Sequence, residues 1–248
     1  MSDWKERLVD KDEIEKFLSE KMPPCVNQNM ENMYVGYIDI NGMKAMMKNM
    51  SDNDFQQLCN NIATFVESIA DENESYEKDL KVTIDFHMFS DNMIFLCNNL
   101  NFLIERMGLL QRRLAVCLNL TIKGGIDYGS VYYYKNRFIL GKGLVSAYSI
   151  DADYHNPAIK IATSLVKNAK SRYIKKVSYD EYIVDYYQIA ADLSSDFWVE
   201  ELHHIKTLIE DNLSKEYAEE IRHKYLWLKE YHNEVCKNNG YEDMMISD

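Results

Sequence analysis

The stretch Tyr34–Lys48, YVGYIDINGMKAMMK, decides how the rest of the chain is read. Its first residues, Tyr34-Val35-Gly36-Tyr37-Ile38, form an apolar and aromatic run with the length and composition of a buried strand. The run ends on a carboxylate, Asp39, and turns through Asn41-Gly42 into an alternating Met/Lys segment that predicts a helix start. Such a corner holds one carboxylate at the sheet edge and aims free backbone N–H groups at whatever that carboxylate binds. Hard divalent cations carrying phosphates suit it. The plainer alternative, an ordinary strand–turn–helix with an exposed Asp, loses ground to a second stretch further along.

That second stretch holds two more strand-like runs, Lys81–Met88 (KVTIDFHM) and Asn92–Cys97 (NMIFLC). Phe89-Ser90-Asp91-Asn92 is a polar turn between them, so the pair predicts a hairpin with Asp91 at or near its tip. Between the first strand and this hairpin, Ser51-Asp52-Asn53-Asp54 has the character of a helix N-cap. Phe55, Leu58, Ile62, Phe65, Val66 and Ile69 then recur at helical spacing through Ala70, and the acidic residues 71–79 predict a loop. A helix is expected from Asn98 to about Leu118, with Leu100, Leu103, Ile104, Met107 and Leu114 on one face. Leu120–Asp127 and Ser130–Tyr134 predict a strand pair around Gly129, and Arg137–Leu140 leads through Gly141-Lys142-Gly143 into a helix over Leu144–Asp153. Asn156-Pro157 breaks that helix before a short strand, Ala158–Ala162.

The order is β-α-β-β-α-β-β-α, an α+β fold with a ferredoxin-like or palm-type split βαβ sheet and flanking helices. Three parts are expected: an N-terminal helical arm (1–33, stopped by Pro23-Pro24), the sheet domain (34–180), and a helical C-terminal extension (181–248) packed on it. In the extension Trp198, Leu202, Ile205, Leu208 and Ile209 line one face, and Ile221, Tyr225, Leu228 and Tyr231 another. In a split βαβ sheet the first strand and the hairpin lie side by side, so Asp39 and Asp91 converge. Two such carboxylates repel unless a cation sits between them, the usual arrangement for two-metal phosphoryl chemistry.

Composition narrows the partners. The net charge is −12 and the 28 Lys and Arg residues are dispersed, which argues against a nucleic-acid groove. An acidic chain can still take a nucleoside triphosphate when metal ions neutralise the phosphates. Cys25, Cys59, Cys97, Cys117 and Cys236 have no metal-ligand spacing, which predicts a reducing, cytoplasmic setting and no zinc site. No apolar run is long enough to span a bilayer, and no membrane partner is expected.

These motifs resemble the class III nucleotide cyclases. Asp39-Ile-Asn-Gly-Met-Lys is similar to their first metal motif, Phe-Ser-Asp91 stands at their Gly-Asp hairpin, and Lys123-Gly-Gly-Ile-Asp-Tyr-Gly129 matches the strand and glycine turn that follow. Gly141, Ala147 and Asp151 keep the spacing of the next helix. Ala147-Tyr148-Ser149-Ile150-Asp151, Pro157-Ala158-Ile159 and the tail from Lys224 to Asn233 bring the resemblance closest to the pyrimidine cyclases of the Pycsar anti-phage system, over about Tyr34 to Asn233.

The resemblance implies conversion of UTP or CTP to the 3′,5′-cyclic monophosphate and pyrophosphate. It also implies a homodimer with shared active sites and a product that acts on a separate effector protein. Asp39, Asp91 and the Ile40 backbone would hold two Mg²⁺ or Mn²⁺ ions. The backbone of Ile40, Asn41, Gly42, Met43 and Lys44 would cradle the phosphates, and His87 and Phe138 would read the base. Two departures stand out. Val145 and Ser149 occupy the positions of the family's transition-state Asn and Arg, leaving Tyr148, Lys142 or Arg137 as candidate substitutes, and Tyr148 is taken as the catalytic one. His87 and Phe138 match neither the adenine nor the guanine pattern, as expected of a pyrimidine pocket or of a decayed one. Three rivals stay open: a purine cyclase, a diguanylate cyclase-like palm enzyme with Phe-Ser-Asp-Asn where a Gly-Gly-Asp/Glu-Glu-Phe hairpin is needed, and a cyclase-fold sensor or binding module without catalysis.

Overall fold

The computed structural model describes residues 30–80, 82–134, 138–193 and 198–247, so most of the expected N-terminal arm lies outside the described residues. The chain opens with β1 (Glu31–Ile40), α1 (Met43–Asn49) and α2 (Asp52–Leu80), then the hairpin β2 (Ile84–Phe89) and β3 (Asn92–Cys97). There follow α3 (Leu100–Leu118), β4 (Ile122–Tyr134), β5 (Phe138–Gly141), α4 (Lys142–Asp153) and β6 (Ile159–Ile161). A single turn, α5 (Thr163–Val166), precedes β7 (Ile174–Lys176) and β8 (Tyr182–Val184), and α6 (Tyr186–Leu193), α7 (Trp198–Leu213) and α8 (Glu219–Asn238) complete the chain.

The strands form one sheet in the order β2-β3-β1-β4-β6-β8-β7, with β5 paired to β4. Its first four strands are the split βαβ arrangement: β1 is flanked antiparallel by β3 and β4, and β2 pairs antiparallel with β3. The fold is therefore α+β. β1 is central because it is apolar on both faces. Ile38 and Ile40 point to a core shared with Met93, Phe95, Ile122 and Ile126 under α3, whereas Val35 points to a smaller one with Leu96, Val131 and Ala147 under α4.

Ser51 starts α2 as its sequence suggests, accepting the Asp54 N–H at 3.2 Å. The helix does not end at Ala70, however, but runs through the acidic segment to Leu80. Residues 71–79 contain no Gly or Pro, and Glu and Lys are good helix formers; their polarity does not break the chain. The expected strand pair around Gly129 is instead one continuous strand, whose residues 122–131 pair with β1. Gly129 is not a turn. A Cβ there would lie 2.7 Å from the Gly143 nitrogen, so this glycine lets α4 approach the sheet.

The C-terminal helices bury a second core in which Tyr187, Leu202, Ile205, Ile209, Leu228 and Tyr231 take part. The sheet continues past residue 180, since β8 pairs with both β6 and β7. No helix among the described residues is long and apolar enough to cross a membrane.

Candidate active site at the end of β1

Asp39 and Asp91 are brought to one edge of the sheet by backbone pairing. Asp39 stands opposite Asn92 of β3 and Lys123 of β4, and the Ile40 N–H donates to the Asp91 carbonyl at 3.1 Å. Ser90, at φ 58, makes the tight bend that presents Asp91. Phe89, Asn92, Asp39 and Lys123 thus form one row across β2, β3, β1 and β4, and paired residues in such a row project to the same face.

Charge gathers in this row. Lys123 Nζ donates to Asp151 Oδ2 at 2.6 Å and lies 3.7 Å from Asp39 Oδ2. Asp151 comes from the buried side of α4, and its second oxygen, Oδ1, has no hydrogen-bond partner among the described residues. Burial pushes the Asp39 carboxyl above its ordinary range; Lys123 opposes this, while Asp151 and Asp91 add to it. The Tyr37 hydroxyl donates to Asn92 Oδ1. It too is held well above the ordinary range, by burial and then by Asp151 and Asp39.

The Asn41-Gly42 turn sits beside this row. Gly42 has φ 76, a left-handed conformation that disfavours side chains, and no side chain caps α1 behind it. Ile40 and Met43 bury their side chains in the core, leaving backbone at the turn, and Lys44 is exposed. The Asn41 side chain accepts from Lys224 Nζ of α8 at 2.8 Å.

The remaining expected residues fall in two groups. Tyr148, 53% exposed on α4, packs edge-on against Tyr37 with ring centroids 5.3 Å apart, which brings it to the Asp39 row through one residue. His87 is half-buried opposite Ile94, itself opposite Tyr37, so it lies two strands, or about 10 Å, from Tyr37. Burial lowers its imidazole pKa against the influence of Asp85, favouring the neutral ring. Lys142 opens α4, and Phe138 opens β5, where its backbone pairs with Tyr134; the Phe138 side chain and all of Arg137 lie outside the described residues.

The oxygen-only donors Asp39, Asp91 and the Ile40 carbonyl suit a hard cation, and the crowding of Asp39 by Asp151 and Asp91 is of the kind a cation relieves. Among the described residues no three His, Cys, Asp or Glu side chains gather to hold a metal ion. An ion here would complete its shell with water or phosphate oxygens.

Sequence reasoning assigned no role to Tyr37, Asn92, Lys123, Asp151 or Lys224. Two of them carried a signal. Asp151 falls at i+4 and i+8 from Ala147 and Gly143 on the buried stripe of α4, and Lys123 interrupts an apolar strand.

No family model and no curated protein matches the chain. Among solved structures it is similar to the adenylyl cyclase CyaB from P. aeruginosa, at 13% identity and TM-score 0.41 over 63% of this chain and 94% of that one. It is also similar to a bacterial light-regulated adenylyl cyclase, at 11% identity and TM-score 0.47 over 64% and 92%. A third likeness is to the catalytic core of a rhodopsin-guanylyl cyclase with converted specificity, at 12% identity and TM-score 0.42 over 62% and 96%.

Proposed function

We propose that this chain is a nucleotide cyclase that converts a pyrimidine nucleoside triphosphate to its 3′,5′-cyclic monophosphate and pyrophosphate. The observation that carries the reading is the hydrogen bond from the Ile40 N–H to the Asp91 carbonyl, which fixes two carboxylate-bearing corners together beside the left-handed Gly42 turn. In the reaction the 3′-hydroxyl gives up its proton to solvent and its oxygen attacks the α-phosphorus; a new P–O bond closes the ring, the bond from the α-phosphorus to the α,β-bridging oxygen breaks, and pyrophosphate leaves with that oxygen. Divalent Mg²⁺ or Mn²⁺ ions held by Asp39, Asp91 and the Ile40 carbonyl would supply the Lewis acidity this transfer needs.

The protein's own groups do the positioning. The Ile40 and Asn41 N–H groups are taken by the Asp91 and Thr121 carbonyls, so of the expected Ile40–Lys44 cradle the N–H groups of Gly42, Met43 and Lys44 would face the phosphates, and Lys123 sets a fixed positive charge at the same edge, anchored by Asp151. Tyr148, with an exposed ring braced by Tyr37, lies beside the reacting groups and supplies an aromatic face. His87, kept neutral, can both donate and accept, as discrimination between uracil and cytosine requires, and Phe138 adds bulk against a purine. The preferred substrate is UTP, with CTP second. The resemblance to the class III cyclases also carries the expectation of a homodimer with active sites shared between the two copies. The resemblance to Pycsar cyclases carries the expectation that the product signals to a separate effector in cytoplasmic anti-phage defence.

A nucleotide-binding module without turnover is the second reading. One observation favours it: Ser149, at one of the two transition-state positions, turns its hydroxyl back to the Val145 carbonyl at 2.9 Å. One experiment separates the readings. The purified chain is incubated with equal UTP, CTP, ATP and GTP and Mn²⁺, and the products are identified by mass spectrometry. Cyclic UMP as the main product is expected. Faster conversion of ATP refutes the pyrimidine assignment, and binding without any cyclic product refutes the enzyme.

A further inference from the structure

We propose that the cleft between α8 and the start of β4 receives the polyphosphate end of the nucleotide, and that Lys224 is the residue of the C-terminal extension that holds it. The inference deepens the cyclase reading and rests on it. α8 would then complete the site within the same chain.

Lys224 bridges 183 residues of sequence to reach Asn41 Oδ1 at 2.8 Å. Its ammonium is half-buried, yet among the described residues no carboxylate lies within ion-pair distance of it. A half-buried cation hydrogen-bonded to a neutral amide is poorly compensated. Burial and the nearby Lys123 both press it toward losing its proton, while Asp39, Asp151 and Glu220 act against that at longer range.

The Asn41 amide is left incomplete by the same contact. An ammonium can only donate, so Asn41 must turn its oxygen to Lys224. Its NH₂ group is then buried with no acceptor among the described residues, directly before the Gly42 turn. A donor without an acceptor and a cation without an anion, side by side, suit one kind of guest: a phosphate oxygen.

There is room for it. Lys224 and Lys123 line one cleft of about 540 Å³, together with His155, His223, Glu219 and Glu220. Lys224 also lines a second cleft of about 380 Å³ that includes Asn41 and Gly42. It therefore lines both the cleft at the Gly42 turn and the cleft at Lys123, where it can meet a phosphate held at that turn. Glu219 and Glu220 offset the two lysines. Such a mixed lining suits a polyphosphate that brings its own divalent cation, and it disfavours a bare polyanion.

The test separates charge from latch. Lys224→Gln keeps a donor for Asn41 but removes the charge, and Lys224→Arg keeps the charge. Binding of inorganic pyrophosphate with Mg²⁺ to the full chain is measured by calorimetry, and KM and kcat are measured for UTP. Lys224→Gln should weaken pyrophosphate binding by about 10-fold or more and raise KM by a similar factor with a smaller change in kcat, because charge-assisted hydrogen bonds are the strong ones. Lys224→Arg should recover most of the loss. A parent that binds no pyrophosphate, or a Lys224→Gln variant with the parent's affinity and KM, overturns the inference while leaving cyclase activity intact. Lys224-dependent pyrophosphate binding in a chain that makes no cyclic product defeats the cyclase reading and leaves Lys224 as a phosphate ligand.

Discussion

Replacing Gly125 by alanine tests whether α4 positions the site or only covers the sheet. Gly125 stands in β4 opposite Tyr37. A Cβ there would lie 2.2 Å from the Ala147 carbonyl oxygen and 2.8 Å from Ile150 Cβ, both in α4. Ordinary contact begins at 3.4 Å, so the new methyl is about 1.2 Å too close to a backbone atom that cannot rotate away. β4 cannot yield, because it is paired along β1 on one side and with β6 on the other. α4 must therefore move outward, by on the order of 1 Å. Overpacking of this kind costs about 1–3 kcal/mol. At ~2–4 °C per kcal/mol for a chain of this size, Tm should fall by roughly 2–12 °C. Asp151 travels with α4, so its 2.6 Å bond to Lys123 is strained. Turnover should fall about 100-fold, since misplacing catalytic geometry by about 1 Å has that effect. Calorimetric melting and mass-spectrometric product counting read the two effects separately. Parent-like Tm and turnover would refute the close approach itself, whereas a lower Tm with full turnover would refute the positioning role of α4.

Asp91→Ala should abolish turnover while costing no more than about 1 kcal/mol of stability, since the half-buried residue sits at the bend between β2 and β3; residual activity near the parent's removes Asp91 from the site. Asp39→Asn should also abolish turnover but melt at or above the parent at neutral pH. The folded-state pKa of Asp39 is raised, so its favourable contribution is complete only below the unfolded value of about 3.9 and is lost as pH rises through the folded value. Melts across pH should show the gap between variant and parent closing in acid, and an Asp39→Asn chain that melts lower at neutral pH contradicts the crowding of carboxylates. Lys123→Met leaves Asp151, whose side chain is 4% exposed, without its partner, and urea unfolding should report a loss of about 3–5 kcal/mol; a loss under about 1 kcal/mol rejects that pair as an anchor. Tyr148→Ala should raise the KM for UTP by about 10-fold with little change in Tm, as a half-exposed aromatic contact is worth roughly 0.5–1.5 kcal/mol to the fold; an unchanged KM removes Tyr148 from the pocket.

What the sequence made legible follows from the range over which each signal acts. The β1 strand, the β2–β3 hairpin and the apolar stripes of α3, α7 and α8 were readable because burial imposes a period on consecutive residues. Asp39 and Asp91 were readable because each closes a strand, and the split βαβ order alone puts those strand ends together. Gly129 was misread because glycine serves two purposes that look alike in sequence, a permissive turn and a surface without Cβ. Only the Gly143 backbone, folded back against it, distinguishes them. The acidic end of α2 was misread because polarity was taken for a chain break, when only Gly or Pro would have supplied one.

Electrostatic partners are harder still. Asp151 betrays itself as a carboxylate on a buried stripe, but nothing near Asp39 names Lys123 as its neighbour until β1 and β4 are in register. Lys224 opens the tail stretch that resembles the family, but nothing local marks it as a partner of Asn41. On α8 it lies beside Glu219, Glu220, Arg222 and His223 and reads as one more solvated side chain, and its partner Asn41 reads as one more turn residue. The two meet only because the core containing Tyr187, Leu202 and Leu228 seats the C-terminal helices against the sheet. A site assembled this way ties its chemistry to the packing of a helix 183 residues of sequence away from the Gly42 turn's Asn41. Removing the C-terminal helices would then disturb the phosphate end of the site as directly as a substitution in the Gly42 turn.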